Sequence, residues 1–244
     1  MGRLPDRGTR LGRLVRAPLS LLPSGSRVRI VKGPARGFRW IVGASTHGYW
    51  WGSYEVDKAR LFARYLRRGG VVYDIGAHVG YYSLIAARAV GPEGSVVAFE
   101  PDARNLSFLE EHVRSNELDQ VEIVRAAVGA STRSDARFLV GDHPATGRLH
   151  ELGTQPVEVV SLDDFLTGRD RGPDIVKIDI EGGEAEALSG ARRLLMRYRP
   201  LVFLATHGSH AERLSLKILS DVGYDPEKLD EGEYIVRPPG ATGK

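Results

Sequence analysis

The chain has 244 residues, 42% hydrophobic and 27% charged, enough apolar content for one α/β domain with an appended segment. It has no cysteine, which excludes disulfides and thiolate metal sites, and no apolar run approaches the ~18 residues needed to span a bilayer. The net charge of +3 conceals an asymmetry: residues 1–39 hold ten Lys or Arg and one acid, a net +9, so the remainder carries −6.

A basic arm on an acidic body suits weak contact with an anionic membrane surface, nucleic acid or an acidic partner; it equally suits a solvated leader. No aromatic residue interleaves its arginines before Phe38, which weighs against specific nucleic-acid binding. The apolar stretch Ala17–Leu22 is broken by Pro18 and stopped by Pro23, too short for a secretory segment, so a cytoplasmic protein is expected. Residues 1–26 read as flexible, with a short helix around Leu11–Arg16. Arg27–Val31 and Phe38–Val42 alternate about a Gly/Pro-rich turn and predict a hairpin. The aromatic cluster Tyr49, Trp50, Trp51 and Tyr54 follows. Glu55–Arg68 predicts a helix with Ala59, Phe62, Ala63 and Leu66 on one face, ended by Gly69-Gly70.

From Val71 onward short apolar strands alternate with helical segments, the pattern of parallel strands joined by right-handed crossovers. Strands are expected at 71–75, 95–100, 121–126, 174–179 and 200–206, with a last pair near Tyr224 and Glu233–Arg237. Segments 135–140 and 157–160 are expected to pair as an inserted ribbon. The fold class is therefore α/β: a Rossmann-like, doubly wound, mostly parallel seven-stranded sheet with helices on both faces and an N-terminal extension. Residues 1–54 form the extension, with its hairpin and aromatic cluster, and 55–244 the cofactor-binding domain.

The chemistry concentrates at Val71–Gly80, where a strand runs into Asp74, Gly76, Ala77, His78 and Gly80 before a helix start. That geometry receives a nucleoside cofactor in an open α/β sheet. Glu100 closes the next strand twenty residues after Gly80, placed to accept hydrogen bonds from both ribose hydroxyls of an adenosine. The pattern is D-x-G-x-x-x-G, without the third glycine that lets a backbone approach a pyrophosphate. The Asp74 carboxylate suits the ammonium of an amino-acid moiety and repels a pyrophosphate. The spacing thus favours S-adenosyl-L-methionine over NAD. Asp74, Gly76 and Gly80 shape the methionine end, His78 satisfies backbone groups in the turn, and Ala127 leaves room for adenine.

Asp179, Glu181 and Glu184 lie at the mouth of another buried strand. Asp179 orients the methionine moiety or a substrate hydroxyl, and Glu181 hydrogen-bonds substrate. Glu184 reads as an acid stabilised by a helix N-terminus. Two free acids are too few for a cation site, and no metal is expected. His207, ending the adjacent strand, is the candidate for a general base, since an imidazole titrates near neutrality. Tyr49 and Trp50 are candidates for a lid or sugar platform over the cleft, and Glu55 for a substrate or cofactor contact.

Seven ordered stretches carry a family resemblance over roughly two thirds of the chain. They are Gly48–Glu55 (GYWWGSYE), Val72–Leu84 (VYDIGAHVGYYSL), Val97–Pro101 (VAFEP), Ala126–Gly129 (AAVG), Ser161–Phe165 (SLDDF), Asp174–Glu184 (DIVKIDIEGGE) and Pro200–His207 (PLVFLATH). The chain resembles an FkbM-family S-adenosylmethionine-dependent methyltransferase. The resemblance implies the cofactor, includes Pro101 beside Glu100 in the site, and implies O-methylation of a hydroxyl on a glycan, glycolipid or secondary metabolite. Gly183 and Ala205 depart from the family pattern, which often has a bulkier residue or histidine at the first and a glutamate at the second; both bear on the acceptor rather than the cofactor. Three rival readings stay open. An NAD-dependent oxidoreductase predicts a third glycine and a Tyr/Lys proton relay, and neither is found. A non-catalytic cofactor-binding scaffold predicts no turnover. Nucleic-acid methylation predicts salt-sensitive RNA or DNA binding.

Overall fold

The computed structural model describes residues 22–141 and 147–240; the helix expected around Leu11–Arg16 lies outside them. Strands β1 (Arg27–Arg29) and β2 (Arg39–Ile41) form the expected antiparallel hairpin, prolonged by Ile30 N–H to Phe38 O and Val42 N–H to Ser26 O. Helix α1 (His47–Trp51) carries the aromatic cluster, and α2 (Val56–Tyr65) follows. The helix expected to reach Arg68 stops earlier, because Leu66 turns extended (φ −71°, ψ 142°).

The chain then runs β3 (Val71–Ile75), α3 (Tyr81–Val90), β4 (Ser95–Phe99), α4 (Ala103–Ser115) and β5 (Val121–Val124). Next come β6 (Ala126–Val128), β7 (Arg133–Leu139), β8 (Arg148–Leu149), β9 (Gln155–Val160) and α5 (Leu162–Phe165). It closes with β10 (Ile175–Ile178), α6 (Glu184–Ser189), α7 (Arg192–Tyr198), β11 (Leu201–Ala205), α8 (Ser209–Asp221), β12 (Asp225–Asp230) and β13 (Glu233–Arg237). The main sheet has seven strands in the order β5-β4-β3-β10-β11-β13-β12. The first five are parallel to one another; β13 runs antiparallel to β11, and β12 antiparallel to β13. The order reverses between β3 and β10, so a crevice opens at their carboxyl ends, where open α/β sheets bind ligands.

Alternation along the strands feeds two cores. Val72, Val96 and Ile175 pack with α3 and the aromatic cluster on one face, whereas Tyr73, Phe99, Val176 and Val202 pack with α6 and α7 on the other. The N-terminal segment belongs to the first core: Trp40 stacks on His112 of α4 with ring centroids 4.1 Å apart, and on Tyr49 at 5.5 Å. His112 bridges the hairpin to the glycine turn, donating from Nδ1 to Val79 O (2.7 Å) while Nε2 accepts Ile41 N–H (3.0 Å). Burial pushes its pKa down to about 4, which keeps the ring neutral for that double role.

One strand boundary differs from expectation. The strand foreseen over 121–126 divides at Arg125, and Ala126 and Ala127 open a second, four-stranded sheet, β6-β9-β7-β8. The last rung to β4 is Glu100 N–H to Val124 O (3.1 Å); Pro101 has no N–H to continue it. The expected ribbon is present as β7 paired antiparallel with β9, which also pairs in parallel with β6.

Candidate active site

A cleft of about 1060 Å³ opens at the carboxyl ends of β3, β4, β10 and β11 and is roofed by the inserted sheet. Of the residues singled out from the sequence, Tyr49, Glu55, Gly76, Ala77, His78, Glu100, Pro101, Ala127, Asp179, Glu181 and His207 all line it. So do Gly183 and Ala205, the two positions that depart from the family pattern. Three others lie elsewhere. Trp50 is 4% exposed, packed against His47 and Trp51, and its Nε1–H donates to His47 Nδ1 (3.3 Å), so it is not a platform in the cleft. Gly80 does not line the cleft; it meets Leu109, whose Cδ1 would lie 2.6 Å from an added Cβ, and its φ of 92° favours glycine.

Asp74 is the third. Its carboxylate does not face the cleft: it accepts from Ser83 Oγ (2.6 Å) and lies 3.2 Å from Lys177 Nζ. The cause is register. Lys177 pairs directly with Asp74 across β10 and β3, so both side chains leave the same face of the sheet and meet under α3. Burial opposes the Lys177 charge, but Asp74 and then Asp179 more than offset it and hold the ammonium above its ordinary range. The sequence offered one signal for Lys177, a lone cation inside an otherwise apolar strand.

Gly76 makes the crevice possible. It has φ 76°, and a Cβ there would sit 2.1 Å from Asp179 O, so the turn after β3 presses against the end of β10. The Asp179 carboxylate is thereby brought beside the turn, with Lys177 Nζ at 3.8 Å and His207 Nε2 at 3.7 Å. Burial raises its pKa, but the lysines Lys177 and Lys58 together with His207 hold the carboxyl below its usual value. Glu100 is buried; Oε2 accepts His78 N–H (2.8 Å), and Oε1 accepts Asp102 N–H (3.0 Å). Burial outweighs these bonds and pushes its pKa up to about 7.

His207 Nδ1 lies 2.8 Å from Oε1 of Glu184, a fully buried carboxylate that also accepts Gly182 N–H (3.0 Å). Glu184 thus opens its helix as an acid at the N-terminus, as expected, and also grips His207, 23 positions further along the chain. With Nδ1 held, Nε2 faces Asp179 and Glu181, the latter at 3.6 Å. The Glu184 hydrogen bond raises the His207 pKa above its ordinary value, with Glu181 and Asp179 adding to it against burial. Sequence reasoning named both residues without pairing them. On the opposite rim Tyr82 donates its hydroxyl to Glu55 Oε2 (2.6 Å), and Lys58 Nζ reaches Glu233 (2.8 Å) and Glu55 (3.8 Å). Glu55, His78 and Glu181 all hold left-handed backbone, with φ of 40°, 53° and 53°. Backbone strain of this kind gathers at functional sites.

A family model described as the methyltransferase FkbM domain matches residues 74–226. The chain belongs to the FkbM methyltransferase family. Its methyl donor is S-adenosyl-L-methionine. The chain is 26% identical over 188 residues to the hexuronic acid methyltransferase AglP of Haloferax volcanii, covering 75% of each protein. It is also similar to the crystal structure of an FkbM methyltransferase from Methylobacillus flagellatus, with 26% identity and a TM-score of 0.49. That match covers 68% of this chain but only 42% of the other. A precorrin-6y C5,15-methyltransferase from Geobacter metallireducens shares the fold, at TM-score 0.50 and 18% identity, over 75% of this chain and 88% of its own. Among the described residues no helix is long and apolar enough to cross a membrane, and no cluster of side chains is arranged to hold a metal.

The cleft of this FkbM chain fits the donor. Glu100 uses three of its hydrogen-bonding positions on His78, Asp102 and Asn105, and an ionised carboxylate offers about four. Glu55, Asp179, Glu181 and Glu233 line the same wall, an acidic surround suited to a sulfonium and an ammonium.

Proposed function

We propose that this methyltransferase acts on a hydroxyl oxygen of a glycan, glycolipid or secondary metabolite, with His207 as the general base. The Glu184–His207 pair carries this reading: a buried carboxylate holds Nδ1–H and leaves Nε2 turned to the cleft. The donor, when bound, supplies an electrophilic methyl group on a sulfonium and leaves as S-adenosylhomocysteine. Glu100 holds the ribose, with Ala77, His78 and Pro101 about it and Ala127 toward the adenine. Asp179 meets the ammonium in place of Asp74, whose carboxylate is taken by Lys177. His207 Nε2 would take the proton of the acceptor hydroxyl as that oxygen is methylated. Asp179 and Glu181 stabilise the resulting imidazolium, and Glu181, Glu55 and Tyr49 contact the acceptor. The name of the haloarchaeal relative supports a sugar acceptor. Residues 55–244 act as the catalytic domain, with the hairpin and aromatic cluster of the N-terminal extension packed against it.

The test is calorimetric titration with S-adenosylmethionine, S-adenosylhomocysteine and NAD, followed by transfer of labelled methyl to a panel of sugars and polyols. Micromolar binding of the first two, lost in Glu100→Ala, with transfer to oxygen abolished in His207→Asn, is the expected result. Methyl found on nitrogen, or turnover indifferent to His207, overturns the oxygen reading.

A further inference from the structure

The methionine end of the donor carries two charges, and Asp179 answers only one of them, the ammonium. The carboxylate beside it calls for a cation or for N–H groups. A single carbon separates the two groups, so the partner of the carboxylate must stand close to Asp179. The glycine turn does not supply it. Gly76 and Ala77 N–H donate to Phe99 O (3.0 and 2.9 Å), His78 N–H donates to Glu100, and Gly80 N–H to Ala77 O (2.8 Å). Nor does Lys177, which is 4% exposed and spends its ammonium on Asp74 at 3.2 Å and Gly76 O at 3.5 Å. The arginines near the cleft belong to the inserted sheet, which roofs it from the other side.

Lys58 stands on the same wall. It lines the cleft, and its side chain is 17% exposed. Its place follows from α2. Phe62 is buried and anchors that helix edge-on to Tyr82 of α3 (ring centroids 5.4 Å apart) and to Phe203 of β11 (5.1 Å). Lys58 lies four residues earlier, so it leaves the same face and leans toward the amino end of the helix, where Glu55 also lines the cleft. Glu233 Oε1 accepts from its Nζ at 2.8 Å. Glu55 stands at 3.8 Å, beyond hydrogen-bond length, and its Oε2 already takes the Tyr82 hydroxyl. The bond to Glu233 leaves other N–H groups of the ammonium to give. Lys58 also acts on Asp179. Among the cations that hold that carboxyl low it comes behind Lys177 and ahead of His207, whose Nε2 is 3.7 Å away. An ion pair that only tied α2 to β13 would not need to face the cleft beside Asp179.

We infer that Lys58 binds the carboxylate of the donor's methionine end while Asp179 takes its ammonium. The inference rests on the proposed placement of the ammonium and adds the residue that completes it. Without a cation there, Glu55, Glu233 and Asp179 would repel the donor's carboxylate from the wall that attracts its other charges. The matched family segment begins at residue 74, so α2 supplies this contact from outside it. Donor binding then joins α2 to the end of β10 through the amino-acid group itself.

The experiment uses the full chain and calorimetric titration with three adenosine thioethers. S-Adenosylhomocysteine carries both charges, its decarboxylated analogue keeps the ammonium alone, and 5′-methylthioadenosine has neither. The parent is expected to bind S-adenosylhomocysteine at least about tenfold more tightly than the decarboxylated analogue, the scale of a charge-assisted bond. General attraction cannot produce that order, because an acidic wall favours the analogue of net positive charge. Lys58→Met removes or reverses the preference by weakening S-adenosylhomocysteine alone, and Lys58→Arg restores part of it. Lys58→Gln, neutral and still able to hydrogen-bond Glu233, gives the same reading if the methionine variant does not fold. Glu233→Ala breaks the tie to β13 but leaves the cation, and keeps the preference. Equal binding of S-adenosylhomocysteine and the decarboxylated analogue by the parent overturns the inference. So does a preference that survives without the Lys58 charge, which would move the carboxylate to the amino end of α3. Loss of the preference in Glu233→Ala as well would make Lys58 a structural tie and also overturn it. A decarboxylated analogue that binds no better than 5′-methylthioadenosine strikes at the Asp179 placement instead, and the Lys58 variants still decide for or against the carboxylate contact.

Discussion

The two walls of the cleft are held by different means. On the main-sheet side the polar groups are tied through the core: Asp74 and Lys177 meet beneath α3, Glu100 takes backbone N–H groups on both oxygens, and Glu184 is buried behind His207. On the inserted-sheet side the core is a small cluster of Ala127, Ala136, Phe138, Val157 and Val159, and the charged side chains stand in solvent. The hydrogen bond from Gln155 Nε2–H to Pro101 O (2.8 Å) links the two walls. Groups on the main-sheet side are thus fixed by packing, whereas those on the inserted sheet sit where substitution costs the fold little. A fold of this kind keeps its cofactor while its substrate changes.

The sharpest way to break that contrast is at Lys177. Lys177→Met leaves the Asp74 carboxylate buried without its cation and is expected to cost about 3–5 kcal/mol in denaturant unfolding, the usual toll of breaking a buried pair. Asp74→Asn/Lys177→Met recovers most of it. A Lys177→Met midpoint equal to that of the parent would show that the wall is not held through this pair.

Next in size is the base. His207→Asn is expected to lower the transfer rate by about 10²–10⁴-fold with donor affinity kept. Glu184→Gln reports on positioning by its pH profile. The Glu184 bond raises the His207 pKa, so its loss moves the rising limb of the rate to lower pH. A profile that stays put, measured by initial rates from pH 5 to 9, removes Glu184 from that role.

Glu100 gives a third, pH-linked effect. Its folded pKa of about 7 lies above the ordinary 4.5, so the folded state holds the proton longer than the unfolded chain. The unliganded protein is therefore most favoured by this group below pH 4.5 and loses stability as pH rises toward 7. At 1.36 kcal/mol per unit the loss approaches about 3 kcal/mol, and Glu100→Gln should remove that slope from urea midpoints. The smallest effect belongs to the roof. Phe138→Ala should lower global stability by under about 1 kcal/mol and leave donor affinity unchanged, while amide exchange quickens within the inserted sheet. A global loss as large as that of Lys177→Met would mean that the two walls fold as one.

Local pattern was enough for the turn between β3 and α3, for Glu100 at the end of its strand, and for the order of strands and helices, because each is written in neighbouring residues and in a period of two. It also placed His207 at a strand end on the right side of the sheet. It failed where a side chain's fate depends on a distant partner. Asp74 looked like a cleft carboxylate until the β3–β10 register set Lys177 against it. Trp50 looked like a platform until the helix α1 turned it to His47 and Trp51. Glu184 was legible as an acid at a helix N-terminus, but not its second partner, His207, which the fold sets beside it just past the end of β11. The sequence of this chain carried its cofactor, its architecture and the types of residue in its site; the facing of those residues was decided by strand register and helix packing, which join segments a hundred positions apart and leave no local trace.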